Sequence, residues 1–128
     1  MRRQTVSSGT EWESQVGYSR AVHAGNVIHV AGTTATDETG DPIDGGPYEQ
    51  TKHVLSKISR VLDEAGASIE DVTRTRLFVT DIEEWEEIGR AHEEVFGAVR
   101  PAATMVEVNR LIDPDLCVEI EVDAVIDE

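Results

Sequence analysis

The chain has 128 residues, 39% hydrophobic and 29% charged, enough apolar content for one packed core and too little length for a second, since compact domains cluster at roughly 100 to 150 residues. Its 11 basic and 26 acidic residues give a formal net charge of −15. That field repels polyphosphates, so nucleic-acid binding is not expected. No apolar run approaches the roughly 18 to 20 residues of a membrane helix, and Met1-Arg2-Arg3 leads into Gln4-Thr5-Val6-Ser7-Ser8 instead of a signal-peptide apolar core. A cytoplasmic protein with no membrane partner is the expectation. Lys52 and Lys57 are the only lysines, and an acid-rich, lysine-poor surface suits a salty, halophilic cytoplasm, where a Debye length of about 3 Å at 1 M screens self-repulsion. Cys117 is the single cysteine, which excludes an intrachain disulfide and a cysteine-based zinc site.

In chain order, Thr5 to Ser8 is expected to form a short edge strand. Residues 18 to 24 and Val27 to Ala31 read as a hairpin around the turn Gly25-Asn26. The implied register pairs Ala24 with Val27, His23 with Ile28 and Val22 with His29, so His23 and His29 face opposite ways and cannot share a metal. The stretch from Thr36 to Gly46 is an acidic, turn-rich loop. As a calcium loop starting at Asp37 it would put Pro42 at the glycine position and Tyr48 at the bidentate glutamate, so it reads as a solvated loop. Pro47 then opens a helix whose stripe is Tyr48, Thr51, Val54, Leu55, Ile58, Val61, Leu62 and Ala65, with Gly66 as its stop.

Val72 to Thr80 is a strand by its β-branched and aromatic content. Asp81 and Glu84 form a plausible capping pair for a shorter helix through Trp85, Ile88, Ala91, Val95 and Phe96, which ends at Gly97. Two strands follow Pro101, Ala103 to Leu111 and Cys117 to Ile126. The last puts Val118, Ile120, Val122, Ala124 and Ile126 on one side and Glu119, Glu121 and Asp123 on the other. The expected order is β, β, β, α, β, α, β, β. This is one α+β domain over residues 1–128, with two helices on one face of the sheet. The hairpin looks apolar on both faces, so the uncovered side calls for a partner surface, by default a homo-oligomer.

A phosphate loop, a nucleophile elbow and a Cys-x-x-Cys pair are all missing, and His92-Glu93 lacks the second histidine of a zincin. The four histidines read as half-buried or surface polar residues. Glu119, Glu121 and Asp123 read first as a salt-bridged strand face with Arg74 and Arg76 as partners.

Three segments together resemble one family. Tyr18-Ser19-Arg20-Ala21-Val22, leading to Gly25-Asn26-Val27-Ile28-His29-Val30-Ala31-Gly32, is similar to its first hairpin. Leu77-Phe78-Val79-Thr80-Asp81 with the Trp85 helix is similar to its fourth strand and second helix. Arg100-Pro101-Ala102-Ala103-Thr104-Met105-Val106-Glu107-Val108, with Leu111 and Val118-Glu119-Ile120-Glu121, resembles its C-terminal signature. The family is that of the Rid or YjgF-like proteins, reactive intermediate deaminases also labelled endoribonuclease L-PSP. The resemblance implies a chorismate-mutase-like α+β subunit with a mixed six-stranded sheet, assembled as a homotrimer with small-metabolite clefts between subunits. It also implies hydrolysis of reactive enamines and imines without metal or organic cofactor. In that chemistry an arginine grips the substrate carboxylate and a glutamate positions the attacking water.

Residue by residue, Glu119 falls at the water-positioning glutamate, Tyr18 at the cleft tyrosine and Gly32 at the backbone glycine. Ala31 stands at the usual serine, Gly89 at the second-helix asparagine, Met105 at a frequent cleft cysteine and Ala103 at the arginine. A methyl group cannot make the charge-assisted, two-pronged grip a carboxylate needs. Arg76 and Arg90 are the candidate replacements, unless Arg76 pairs with Glu119 or Glu121 and Arg90 with Glu86 or Glu94. Two readings therefore stand. One is a cofactor-free hydrolase in which Glu119 is free of a full ion pair. The other is a non-catalytic trimeric binding module in which Arg74 or Arg76 locks Glu119.

Overall fold

A computed structural model describes residues 2–127. Chain order is β1 (Arg3–Val6), α1 (Glu11–Val16), β2 (Ala21–Ala24), β3 (Val27–Thr34), α2 (Pro47–Glu64), β4 (Val72–Val79), α3 (Trp85–Phe96), β5 (Ala102–Glu107) and β6 (Val118–Val125). The strands form one six-stranded sheet in the order β1-β2-β3-β6-β4-β5. All neighbours are antiparallel except β4 and β5, so the sheet is mixed. The β2–β3 register is the expected one, with Ala24 opposite Val27 and Val22 opposite His29. Gly25 takes the left-handed φ of 64° that this tight turn needs.

The α2 stripe buries Thr51, Val54, Leu55, Ile58 and Leu62. At its start the Gly46 N–H donates to Glu49 Oε1 at 3.0 Å, and beyond its end Gly66 reverses the chain at φ 92°. Beside it, α3 buries Ile88, Ala91 and Phe96. Both pack on the face that carries Ala21, Ile28, Val30, Leu77, Val79, Val118, Ile120, Val122 and Ala124, all in the core. No helix among the described residues is long and apolar enough to cross a membrane.

Besides β2 starting at Ala21 instead of residue 18 and β3 running on to Thr34 instead of ending at Ala31, four details depart from the sequence expectations. The edge strand lies at Arg3–Val6, slightly earlier than expected. Next comes α1, which was not expected: its six residues are too few for a helical period to show. Its first turn is tied to the preceding segment by the buried Glu13 carboxylate, which accepts from the Ser8 N–H and hydroxyl and the Thr10 hydroxyl. Asp81 caps a short turn at Ile82–Glu84 by accepting from the Glu83 N–H at 3.0 Å, rather than pairing with Glu84. Finally, β5 stops at Glu107 and not at Leu111, which leaves residues 108–111 to leave the sheet edge.

The helix-free face is also more polar than expected. Its hairpin part carries half-buried Val22 and Val27, but alternation along β6 and β4 puts Glu119, Glu121, Asp123 and Arg76 there too. The uncovered surface is therefore apolar at one side and charged at the other.

Candidate functional site

Glu119 lies on the open face, opposite Thr34 on one side and Phe78 on the other. Where β3 passes it, the register shifts between Val30 and Thr33, partners of Val122 and Ile120. Ala31 and Gly32 thus stand together opposite Glu121 as a bulge, a device that re-aims backbone beside functional sites. Glycine at position 32 leaves room for the Glu119 carboxylate. A Cβ there would overlap Glu119 Oε2 and lie 3.0 Å from Cδ, so the carboxylate rests against bare backbone.

A pocket of about 360 Å³ opens at this point, lined by Gly32, Phe78, Val108, Arg110, Leu111, Glu119 and Glu121. Burial pushes the Glu119 carboxyl above its ordinary value; Arg20 partly offsets this and Glu121 adds to it. Among the described residues no cation lies within 4.0 Å of Glu119. Arg20 acts from the far side of the bulge, donating from Nη2 to the Gly32 carbonyl at 3.0 Å. Its guanidinium lies 5.6 Å from the Tyr18 ring centroid. Tyr18 thus joins the site through Arg20 and Gly32 instead of forming the pocket wall.

Arg76 is on the same face but belongs to a second pocket of about 400 Å³, with Ser19, Val22, His29, Val30, Ala31, Glu121 and Asp123. Its Nη1 lies 3.3 Å from Glu121 Oε1 and 3.3 Å from Asp123 Oδ2. His29 Nδ1 completes the set, 2.8 Å from Asp123 Oδ1. Arg76 therefore pairs with Glu121, as one sequence reading held, and leaves Glu119 alone. Arg74 makes no ion pair among the described residues.

Three predicted positions fall elsewhere in the subunit. Ala103 and Met105 are level with Thr75 and Leu77 on the parallel neighbour β4, and parallel partners share a face, here the helix side. Met105 packs against the core. Gly89 lies on α3, and its Cβ position is 4.0 Å from the Trp85 ring. None of the three lines the Glu119 pocket. Arg90 does not pair with Glu86 or Glu94 but stacks on Tyr48, 4.3 Å from the ring centroid, in the helix layer. It is no replacement arginine there.

Sequence reasoning passed over Arg20 and Arg110. Arg20 was visible inside the Tyr-Ser-Arg-Ala segment. Arg110 was hidden because Val106, Val108 and Leu111 let β5 be read as continuing through it.

The two helix histidines, His92 and His53, are hydrogen-bonded. His92 Nε2 is 2.9 Å from the Thr75 hydroxyl, and burial pulls its pKa down. His53 Nε2 lies 3.0 Å from the Thr36 carbonyl oxygen. Burial pushes the Cys117 thiol up to about 11, so it is protonated and a poor nucleophile. Among the described residues no three His, Cys, Asp or Glu side chains converge as a metal site.

Residues 9–126 match the family model described as Endoribonuclease L-PSP. The chain belongs to the Rid/YjgF-like family. An uncharacterized Streptomyces coelicolor protein is 42% identical over 121 residues, covering 93% of this chain and 89% of that protein. The Acinetobacter baylyi 3-aminoacrylate deaminase RutC is 36% identical over 104 residues, covering 80% of this chain and 82% of RutC. The crystal structure of a Mycobacterium tuberculosis member of the YjgF/YER057c/UK114 family superposes with a TM-score of 0.89 at 48% identity, covering 98% of this chain and 100% of that one. The mixed six-stranded α+β domain is thus the Rid/YjgF fold.

Proposed function

We propose that this Rid/YjgF-like protein is a cofactor-free hydrolase of a small imine- or enamine-like metabolite, working as a homotrimer. The observation that carries the reading is the state of Glu119: half-buried, free of an ion pair, raised in pKa and exposed to a pocket with apolar walls. A carboxylate whose pKa is raised is a better general base than a solvated one. Glu119 takes a proton from a water that attacks the C=N carbon. That proton passes to the imine nitrogen, giving a neutral tetrahedral aminoalcohol, whose hydroxyl proton is then transferred to the amine nitrogen as the C–N bond breaks, leaving a carbonyl and ammonia. An enamine enters the same path after protonation of its carbon. RutC, named as a deaminase of 3-aminoacrylate, supports this reaction class by its 36% identity.

The competing reading, a binding module that has lost its chemistry, draws on Ala103, which offers a methyl where the deaminases carry arginine. Its requirement that Arg74 or Arg76 lock Glu119 is not met, since Arg76 turns to Glu121 and Asp123. The homotrimer is supported by the half-apolar open face, where Val125 is 41% exposed, and sedimentation equilibrium tests it.

The deciding experiment compares ammonia release from freshly generated imines by wild type and Glu119→Gln, with oligomeric state measured on both. Turnover lost in the variant while assembly is kept supports hydrolysis. No release from wild type overturns it in favour of the binding module.

A further inference from the structure

We infer that Arg110 is the residue with which this protein reads the carboxylate of its ligand, in place of the arginine missing at Ala103. The inference rests on the hydrolase reading for its chemistry and on the pocket alone for its geometry.

Residues 108–117 connect β5 to β6, and the segment is pinned on both sides of Arg110. The Val108 N–H donates to the Val79 carbonyl at 2.8 Å, and Leu111 packs against the core. Farther along, the buried Gln50 side chain donates to the Asp115 carbonyl at 2.9 Å and accepts from the Cys117 N–H at 2.9 Å. This pinning sets where the exposed Arg110 side chain leaves the backbone. That place is the wall of the Glu119 pocket, together with Phe78, Val108 and Leu111.

The charges decide what Arg110 can bind. It makes no ion pair within 4.0 Å among the described residues. The two carboxylates of the pocket are not its partners: Glu121 is held by Arg76 at 3.3 Å, and Glu119 lies against Gly32. The pocket therefore holds one free guanidinium, one free carboxylate and an apolar wall between strands and loop. A small molecule carrying a carboxylate and an electrophilic C=N carbon matches both ends, the carboxylate on the planar fork of Arg110 and the carbon toward the water on Glu119. A protein of net charge −15 repels anions at long range, so selecting an anionic ligand requires such a local cation.

The test uses wild type, Arg110→Ala and Arg110→Lys with two probe pairs. The first is an imine freshly made from an amino acid and its neutral counterpart lacking the carboxylate, assayed for ammonia. The second is unreactive, 2-oxobutanoate and its amide, titrated by NMR. The expected result is a loss of about tenfold to a hundredfold in the preference for the carboxylated member of each pair in Arg110→Ala. Lysine should recover only part of it, because it restores the charge without the fork. An unchanged preference in Arg110→Ala overturns the inference, and so does wild type that does not distinguish 2-oxobutanoate from its amide. If wild type hydrolyses neither imine, the hydrolase reading fails while the NMR pair still decides the role of Arg110.

Discussion

Replacing Gly32 by alanine separates the position of Glu119 from the stability of the fold. A Cβ at residue 32 overlaps Glu119 Oε2, but its distances grow to 3.0 Å at Cδ and 3.3 Å at Cγ. The conflict is confined to the movable end of one side chain. Gly32 is not among the glycines of positive φ, so alanine can adopt the backbone as it stands. Moving Glu119 off its preferred rotamer costs about 0.5–1.5 kcal/mol. The smaller unfolded-state entropy of alanine returns about 0.4–1 kcal/mol, which leaves a net change below about 1 kcal/mol and a shift in Tm of a few degrees. Catalysis is far more sensitive, because a displacement of about 1 Å at the reacting centre can cost about a hundredfold in rate. Gly32→Ala is expected to lose about that factor in kcat/KM for imine hydrolysis while melting within about 5 °C of wild type. A variant as active as wild type would refute the claim that the carboxylate must rest on bare backbone. A melting point lower by tens of degrees would refute the claim that the clash is local.

Because burial raises the Glu119 pKa, the stability this carboxyl contributes is fully present below its unfolded value and lost as pH rises through the higher folded value. Glu119→Gln should therefore gain in Tm relative to wild type between about pH 4 and pH 7, and a widening loss over that range would contradict the assignment. Gln50→Leu removes the donor to Asp115 and the acceptor for Cys117 from a buried position. At about 1–3 kcal/mol for each unsatisfied group, a fall of about 2–6 kcal/mol in urea unfolding is expected, with faster hydrogen exchange at Cys117; unchanged exchange would show that the loop is held otherwise. With 26 acidic against 11 basic residues, shortening the Debye length from about 10 Å to about 3 Å should raise Tm between about 0.1 M and 1 M NaCl, and a fall would count against the halophilic reading.

What could be read in the sequence was what depends on neighbours along the chain. The Gly25-Asn26 turn fixes the register of its two strands, the stripe from Thr51 to Leu62 fixes the buried side of α2, and strict alternation from Val118 to Ala124 fixes both faces of β6. What could not be read depends on partners far away. Arg76 meets Glu121 and Asp123 only because β6 lies between β3 and β4 in the sheet, an arrangement no local pattern encodes. Arg110 faces a pocket only because β5 ends at Glu107, although the apolar residues beyond it would suit a longer strand. The residues resembling family positions divide the same way. Glu119 and Gly32 meet across β6 and β3, whereas Ala103 and Met105, one strand beyond β4, turn to the helix side.

Three acids on one face of β6 receive three different environments, and this sorting is how the fold selects one of them for chemistry. Asp123 lies within ion-pair distance of both His29 and Arg76, and Glu121 is held by Arg76 alone. Both are partly exposed pairs, worth little in stability, and each meets its charge locally. Glu119 sits where the β3 bulge replaces a facing side chain with bare glycine. It loses water without gaining a cation, and its pKa rises instead of falling. Shifting the bulge by one residue would put a side chain against Glu119, remove its space, and leave the strand with three ordinary surface carboxylates. The chemistry of the site therefore depends on having nothing at position 32 as well as on the glutamate at position 119.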